Sequence, residues 1–402
     1  MKRAKLARMP FPTGSLRHFP DKTEKLSSAK RLAPSWRFWY QRLNLFFRKV
    51  IHERDTVSGS GSVTERADAA FLASHGWSSF FSSQIERSEA GLLPMRIAEV
   101  HRARLGALSA EGPVKLILPH KTNTADFAVG DWILADPRTH LLVRRLERRT
   151  LLQRRTEGRH LQQLAAANVD TLFIVTSCNA DFSPARLERY LAMANQAGTN
   201  PVIVLTKTDM IDDADIFEQQ ARALQRDLDV VALNGRSADA AAALAAWCGE
   251  GQTVALVGSS GVGKSTLVNT LAGLRHEAAQ ETGDIRESDA KGRHTTTARS
   301  LHAIAGGGWV IDTPGMRTLH VSDVSGGIET LFSEITDLAP SCKFRDCTHD
   351  HEPGCAVQAA IKAGILPAER LARWRKLLEE NVSNTPVQTG PRGNKVIQKK
   401  KY

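Results

Sequence analysis

A lysine and a serine set behind spaced glycines are the side chains best placed to do chemistry. Gly258, Ser259, Ser260, Gly261, Val262, Gly263, Lys264 and Ser265 satisfy G-x-x-x-x-G-K-[ST], and Thr266 follows directly. Glycines let backbone N–H groups approach a phosphate, Lys264 neutralises its charge, and the Ser265 hydroxyl can ligate Mg2+. The apolar run Val254 to Val257 reads as a buried strand and Thr266 to Leu271 as the opening of a helix. A Gly/Ser-rich turn that binds nothing requires neither flank, so the stretch is read as a nucleoside triphosphate site. Lys264 is also a catalytic candidate, because charge develops on the phosphates it faces.

Two further motifs bear on that site. Asp312-Thr-Pro-Gly315 closes another apolar strand. An acidic residue in such a place reaches Mg2+ through water, and the glycine N–H can meet a γ-phosphate. Thr206, Lys207, Thr208 and Asp209 resemble the guanine motif N-K-x-D. The Asp carboxylate accepts from both N1–H and the exocyclic amine of guanine, whereas adenine has no such donor pair. Thr stands in the place of Asn, with one hydroxyl for bracing the loop instead of two functional groups. A P-loop ATPase or kinase in which T-K-T-D is coincidental is the competing reading.

A separate cluster, Cys342, Cys347, His349 and Cys355, supplies three thiolates and one imidazole, the closed set of a structural zinc site. Asp346, His351 and Glu352 are near enough in sequence to leave the fourth ligand open.

Several elements must position these groups. The chain has 402 residues and a formal net charge of +11, which suits two or three domains and an anionic partner such as nucleic acid. Only five cysteines, three of them within fourteen residues, suit metal ligation better than a disulfide framework, and no run reaches membrane-span length or forms a secretory h-region. The expectation is a soluble cytoplasmic monomer with no membrane association.

Residues 1–50 carry thirteen Lys/Arg against Asp21 and Glu24, with four prolines. Residues 1–75 are therefore read as a basic, disordered extension, with Val57 to Ser62 as a linker and a short amphipathic helix allowed over 36–50. The same composition suits an RNA-binding arm, an organelle transit peptide, or upstream sequence belonging to no domain. From Arg96, short alternating strands (Arg96 to Leu105, Val114 to Leu118, Asp131 to Ala135, Leu141 to Leu146) predict an OB-fold-like barrel over 76–156. Arg102, Arg104, Lys115, Arg144, Arg145, Arg148, Arg149, Arg154 and Arg155 are its candidate phosphate-tracking residues.

An α/β alternation follows over 157–321. Strands are predicted at Thr171 to Val175, Pro201 to Leu205 and Val230 to Leu233, and helices at 184–197 (Ser183 as N-cap), 214–227 and 238–247. Two more strands, 301–304 and 308–311, lead to Asp312. Residues 322–382 hold the cysteine cluster and two helices, 356–364 and 367–381, and 383–402 form a basic tail. The sheet is expected to be mostly parallel. Here T-K-T-D precedes the P-loop by about fifty residues, the reverse of the usual order. A parallel sheet tolerates this, since its site is built from strand ends in space.

T-K-T-D, G-S-S-G-V-G-K-S-T-L-V-N, G-R-H-T-T-T-A-R at 292–299, D-T-P-G-M-R and C-K-F-R-D-C-T-H-D-H-E-P-G-C together resemble the circularly permuted GTPases. The closest resemblance is to the ribosome small-subunit-dependent RsgA family (YjeQ/YloQ type), over residues 76–381. The resemblance implies an N-terminal OB-fold, a permuted P-loop GTPase domain and a C-terminal zinc-binding helical domain. It selects His349 as the fourth zinc ligand. It further implies GTP/GDP with Mg2+, one structural Zn2+, and GTP hydrolysis stimulated by the 30S subunit and its 16S rRNA during late subunit maturation.

Two departures from the pattern matter. Leu233 to Ser237 stands where the second base-contacting loop belongs, and Met316 stands where many GTPases carry a catalytic Gln. His294, beside the switch threonines, is the candidate water-positioning group, the alternative being an ordinary loop histidine. One of Thr295, Thr296 and Thr297, with Thr296 as the candidate, is expected to ligate Mg2+ together with Ser265. A GTP-switched RNA-binding module with incidental hydrolysis is the alternative function. The twenty-seven residues from Gly315 to Cys342 are the expected lever between γ-phosphate and zinc module.

Overall fold

The computed structural model describes residues 63–155, 162–237, 239–272, 299–312 and 323–385. Helix α1 (Val63–Ser74) and the single turn α2 (Ser79–Ser82) come first. Helix α1 falls inside the stretch read from composition as disordered, and this is a correction. Phe71, Leu72 and Trp77 pack against Phe81, Trp132, Leu134 and Leu146, so this lead-in buries apolar surface that a tally of its charges does not reveal.

Five strands, β1 (Leu93–Val100), β2 (Leu105–Ser109), β3 (Gly112–Lys115), β4 (Trp132–Ala135) and β5 (Leu142–Arg145), make the barrel. Strand β1 pairs with both β2 and β4, and β4 with β5. A bridge from Ile117 to Leu141 closes the ring, giving the order 1-2-3-5-4 of an OB-fold. Met95, Ile97, Leu105, Ala107, Leu116, Ile133, Ala135 and Leu142 fill it. The single strand expected over Arg96 to Leu105 is two strands, because the chain turns at residues 101–104, where His101 N–H donates to Arg104 C=O at 3.0 Å.

A hairpin of β6 (Leu151–Arg155) and β7 (Gln162–Ala167), which the alternation pattern does not predict, leads out of the barrel. The expected boundary at 156/157 falls inside its connection.

The α/β unit runs β8 (Thr171–Ser177), α3 (Pro184–Ala197), β9 (Asn200–Thr206), α4 (Asp215–Arg222), β10 (Asp229–Ala232), α5 (Ala240–Leu244), β11 (Thr253–Val257), α6 (Lys264–Leu271), β12 (Arg299–Ala303) and β13 (Trp309–Asp312). Strands β10-β9-β8-β11-β13 are parallel. Strand β12 is antiparallel to β13 and to β1, so the barrel and the parallel sheet are continuous. Alternation along β8 sends Leu172 and Ile174 to one face and Phe173 and Val175 to the other, each into its own core. Ser183 occupies the expected N-cap position of α3, but its side chain makes no capping hydrogen bond.

Helices α7 (Ser325–Leu331) and α8 (Ser333–Thr336) were not foreseen; α9 (Ala356–Lys362) and α10 (Ala368–Asn384) match the two that were. Helix α7 lies so close to α3 that a Cβ on Gly327 would fall 1.9 Å from Ala192 C=O.

Candidate functional site

The C-terminal ends of β8, β9, β10, β11 and β13 share one edge of the parallel sheet, where doubly wound folds place ligands. Strand β11 delivers the P-loop. Gly258 has φ +143°, and a Cβ there would lie 2.1 Å from Val175 C=O, so only glycine lets the loop leave β11 beside β8. Val262 is buried in the core and anchors the loop's middle, while Ser260, Gly261 and Ser265 are exposed. Gly263, at φ +94°, is the N-cap of α6 and aims the helix's first N–H groups into the loop. Lys264 Nζ donates to Gly258 C=O at 2.8 Å and also to Ser259 C=O.

Strand β9 delivers T-K-T-D to the same place. Thr206 Oγ1 lies 2.7 Å from Val262 C=O and 3.1 Å from Thr176 C=O. One hydroxyl proton serves one acceptor at a time, and the shorter contact ties this loop to the P-loop. Lys207 holds a left-handed φ of +61°, turning Thr208 and Asp209 into a single 3-10 turn with Asp209 exposed. The loop from Leu233 to Ser237 joins on the other side. Leu233 N–H extends the pairing of β10 to Leu205 C=O at 2.9 Å, and Thr270 Oγ1 on α6 donates to Gly235 C=O at 3.0 Å.

Asp312 ends β13, whose register pairs Ile311 with Ala255 on the P-loop strand. Gly315, His294 and the switch threonines, including Thr296, lie outside the described residues.

Sequence reasoning missed Arg186. From the first turn of α3, 73 residues before Ser259 in the chain, its Nη1 donates to Ser259 Oγ at 2.7 Å. No motif marks it, because the contact depends on the packing of α3 against the sheet.

The cysteine cluster forms a second centre. The ligand atoms of Cys342, Cys347, His349 and Cys355 lie within 4.8 Å of one another. His349 Nδ1 is 3.5 Å from both Cys342 Sγ and Cys355 Sγ. Backbone N–H groups of Ala356 and Gln358 point at Cys342 Sγ and Cys355 Sγ at 3.3 and 3.4 Å, fixing the position of both sulfurs. Gln358 Nε2 and Arg375 Nη2 each donate to His349 C=O at 2.6 Å, holding the ligand's backbone at φ +62°.

The rival ligands are placed differently. Glu352 accepts from Thr348 N–H and Oγ1 at 2.7 and 2.6 Å, and these bonds hold its carboxyl well below the usual range. His351 turns outward, largely exposed, beside Asp350. Cys178 and Cys248 are buried elsewhere, and burial pushes their thiols up to about 11 and about 12, leaving them inert.

The barrel's basic surface is smaller than its composition implied. Arg148 makes a bidentate pair with buried Asp131 at 2.6 and 2.8 Å, Arg144 does the same with Glu89 at 2.6 and 2.7 Å, and Arg149 pairs with Asp170. Arg145 is half-buried; Arg102, Arg104 and Lys115 remain exposed, and Arg154 and Arg155 lie in β6. Charges committed to carboxylates, of which only that of Asp131 is buried, are poor phosphate contacts.

A parallel sheet carrying a P-loop, with its T-K-x-D strand placed earlier in the chain, defines a circularly permuted P-loop GTPase fold. Solved structures agree. YjeQ from Thermotoga maritima aligns at a TM-score of 0.55 with 23% identity, covering 73% of this chain and 99% of that one. YloQ, described as a circularly permuted GTPase, aligns at 0.53 with 24% identity over 75% of this chain and 99% of that one. The RsgA GTPase family model matches residues 145–322. The small ribosomal subunit biogenesis GTPase RsgA of Mesorhizobium japonicum is 69% identical over 329 residues, covering 82% of this chain and 95% of the relative. RsgA 2 of Vibrio vulnificus is 47% identical over 78% of this chain and 88% of its own length. The chain belongs to the RsgA GTPase family.

Proposed function

We propose that this chain hydrolyses GTP in response to the small ribosomal subunit, late in that subunit's maturation, with the P-loop, T-K-T-D and Asp312 forming one GTP site. The observation that carries the site is the Thr206 hydroxyl on Val262 C=O at 2.7 Å, which ties the base loop to the phosphate loop. Its support for the activity is the name of the Mesorhizobium japonicum relative, a small ribosomal subunit biogenesis GTPase, at 69% identity.

In this reading Lys207 packs its stem on the base and Asp209 selects guanine. The N–H groups of Ser259 to Thr266 cradle the phosphates, with Gly258 fixing the turn. Lys264 leaves the loop carbonyls for the β/γ-phosphates and stabilises their charge in the transition state. Mg2+, when bound, neutralises the same phosphates, and an exposed Ser265 on the first helical turn with Asp312 at the neighbouring strand end fits it. Ser265 and Thr296 would ligate it and Asp312 would hold it through water. Gly315 would meet the γ-phosphate, and His294 would orient the attacking water.

The donor chemistry of three thiols and an imidazole fits one structural Zn2+ held by Cys342, Cys347, His349 and Cys355. Exposed Arg102, Arg104 and Lys115 on the barrel are the contacts proposed for 16S rRNA in the 30S subunit. Among the described residues no helix is long and apolar enough to cross a membrane, and a cytoplasmic monomer remains the proposal. The GTP-switched module with incidental hydrolysis is not favoured, since the relatives named are GTPases.

Phosphate release with and without purified small subunits tests the reading. Turnover should rise severalfold or more with small subunits and stay at basal level with large ones; equal rates would sink it. His294→Ala should lose the stimulated rate while keeping GTP affinity, and undiminished stimulation would remove His294 from the mechanism.

A further inference from the structure

The arginines on the face where α3 meets α10 are committed to carboxylates. Arg189 forks onto Glu380 at 2.6 to 3.0 Å, and Arg370 and Arg373 each reach Glu188 at 2.8 Å. Arg186, one turn earlier, differs from them. Its partners are Ser259 Oγ at 2.7 Å and Asp181 C=O at 3.4 Å, both neutral, and among the described residues no carboxylate lies within ion-pair distance. A guanidinium thus contacts the first variable residue of the phosphate loop with no carboxylate among the described residues to neutralise it, and its side chain is exposed.

Its backbone is well fixed. Arg186 N–H donates to Ser183 C=O at 3.0 Å, Leu187, Glu188 and Tyr190 are buried, and the Glu188 and Arg189 pairs hold the helix to α10. A planar, permanently charged fork on a rigid helix matches phosphate oxygens better than it matches a serine hydroxyl.

We propose that Arg186 is a phosphate-contacting residue supplied in cis, which engages the phosphate chain of GTP across Ser259. This rests on Gly258–Ser265 being the phosphate loop. The interaction grows with phosphate charge, so it strengthens GTP binding more than GDP binding and adds to the stabilisation that Lys264 provides.

Fluorescent-nucleotide titrations of the full chain, at two salt concentrations, test it with Arg186→Gln, Arg186→Ala and Lys264→Ala. Gln can still donate to Ser259 Oγ but carries no charge. With the proposal correct, Gln and Ala both weaken GTP binding by about tenfold, as expected for a charge-assisted hydrogen bond, weaken GDP binding less, and flatten the salt dependence. If Arg186 only braces Ser259, Gln keeps the wild-type GTP-to-GDP ratio and Ala weakens both nucleotides equally, which overturns it. Should Lys264→Ala bind GTP as wild type does, the loop assignment falls and Arg186 falls with it. Unchanged thermal unfolding of the Gln and Ala variants separates a charge effect from misfolding.

Discussion

Gly258 shows how one residue type carries both a turn and a site. Its φ of +143° and the 2.1 Å approach of Val175 C=O to a built Cβ leave no room for a methyl group, and the obstacle is backbone, which cannot rotate away. Gly258→Ala should therefore displace the loop at a cost of about 1–3 kcal/mol, the scale of overpacking, and lower GTP affinity at least about tenfold. Equilibrium titration checks this; wild-type affinity would mean that the loop tolerates the shift. Thr206 makes a complementary point. Its departure from Asn looked like a weakness in sequence, yet its hydroxyl reaches Val262 C=O directly, because β9 brings Cβ within reach of the P-loop.

At the scale of elements, α3 is the hinge between sheet and C-terminal module. Its outer face meets α7 through Gly327 and α10 through a buried ion cluster. Arg370 bonds Glu188 at 2.8 Å, Glu334 at 2.5 Å, and the carbonyls of Leu224 and Leu331 at 2.7 and 2.8 Å, and its guanidinium lies 4.0 Å from the Phe332 ring. Burial pushes the Glu188 carboxyl up and the arginines pull it back, so its ionised form depends on them. Arg370→Leu should lose about 3–5 kcal/mol in denaturant unfolding, the range for removing one partner of a buried pair, while exposed Arg226, paired with Asp337, should be near neutral when replaced by Ala. Equal small losses for both would show the cluster to be structurally idle.

Whole-molecule consequences follow from that contact. The sequence suggested a covalent lever running from Gly315 to the zinc module, but residues 313–322 lie outside the described ones. The packing offers another route, from the P-loop through Arg186 and α3 to α10, and from Arg375 on α10 to His349 C=O. Stripping the metal with a chelator, or Cys347→Ser, should loosen the chain around 342–355, since such sites couple binding to folding. Hydrogen exchange should rise there first, with the barrel unaffected. Exchange unchanged on metal removal, or no zinc in purified protein, would overturn the proposed zinc site.

The sequence by itself determined the motifs and the elements that carry them. A P-loop needs a strand before it and a helix after it, so Thr253 to Leu271 was legible from local spacing, as was α3 from Pro184 onward. The cysteine spacing marked the three thiols, the family resemblance chose His349 among the rival fourth ligands, and the order of T-K-T-D and P-loop gave the permutation. Helix α7 was illegible because Ser325, Gly326 and Gly327 form a poor helix start, and only their fit against Ala192 and Gln196 explains them. Tertiary structure alone decided which barrel arginines are committed to carboxylates, that Glu352 is bonded to Thr348 and His351 exposed, and that Arg186 contacts the phosphate loop. Local rules act over a few residues through backbone geometry, whereas these outcomes depend on partners tens of residues away that only the packed sheet and helices bring within reach.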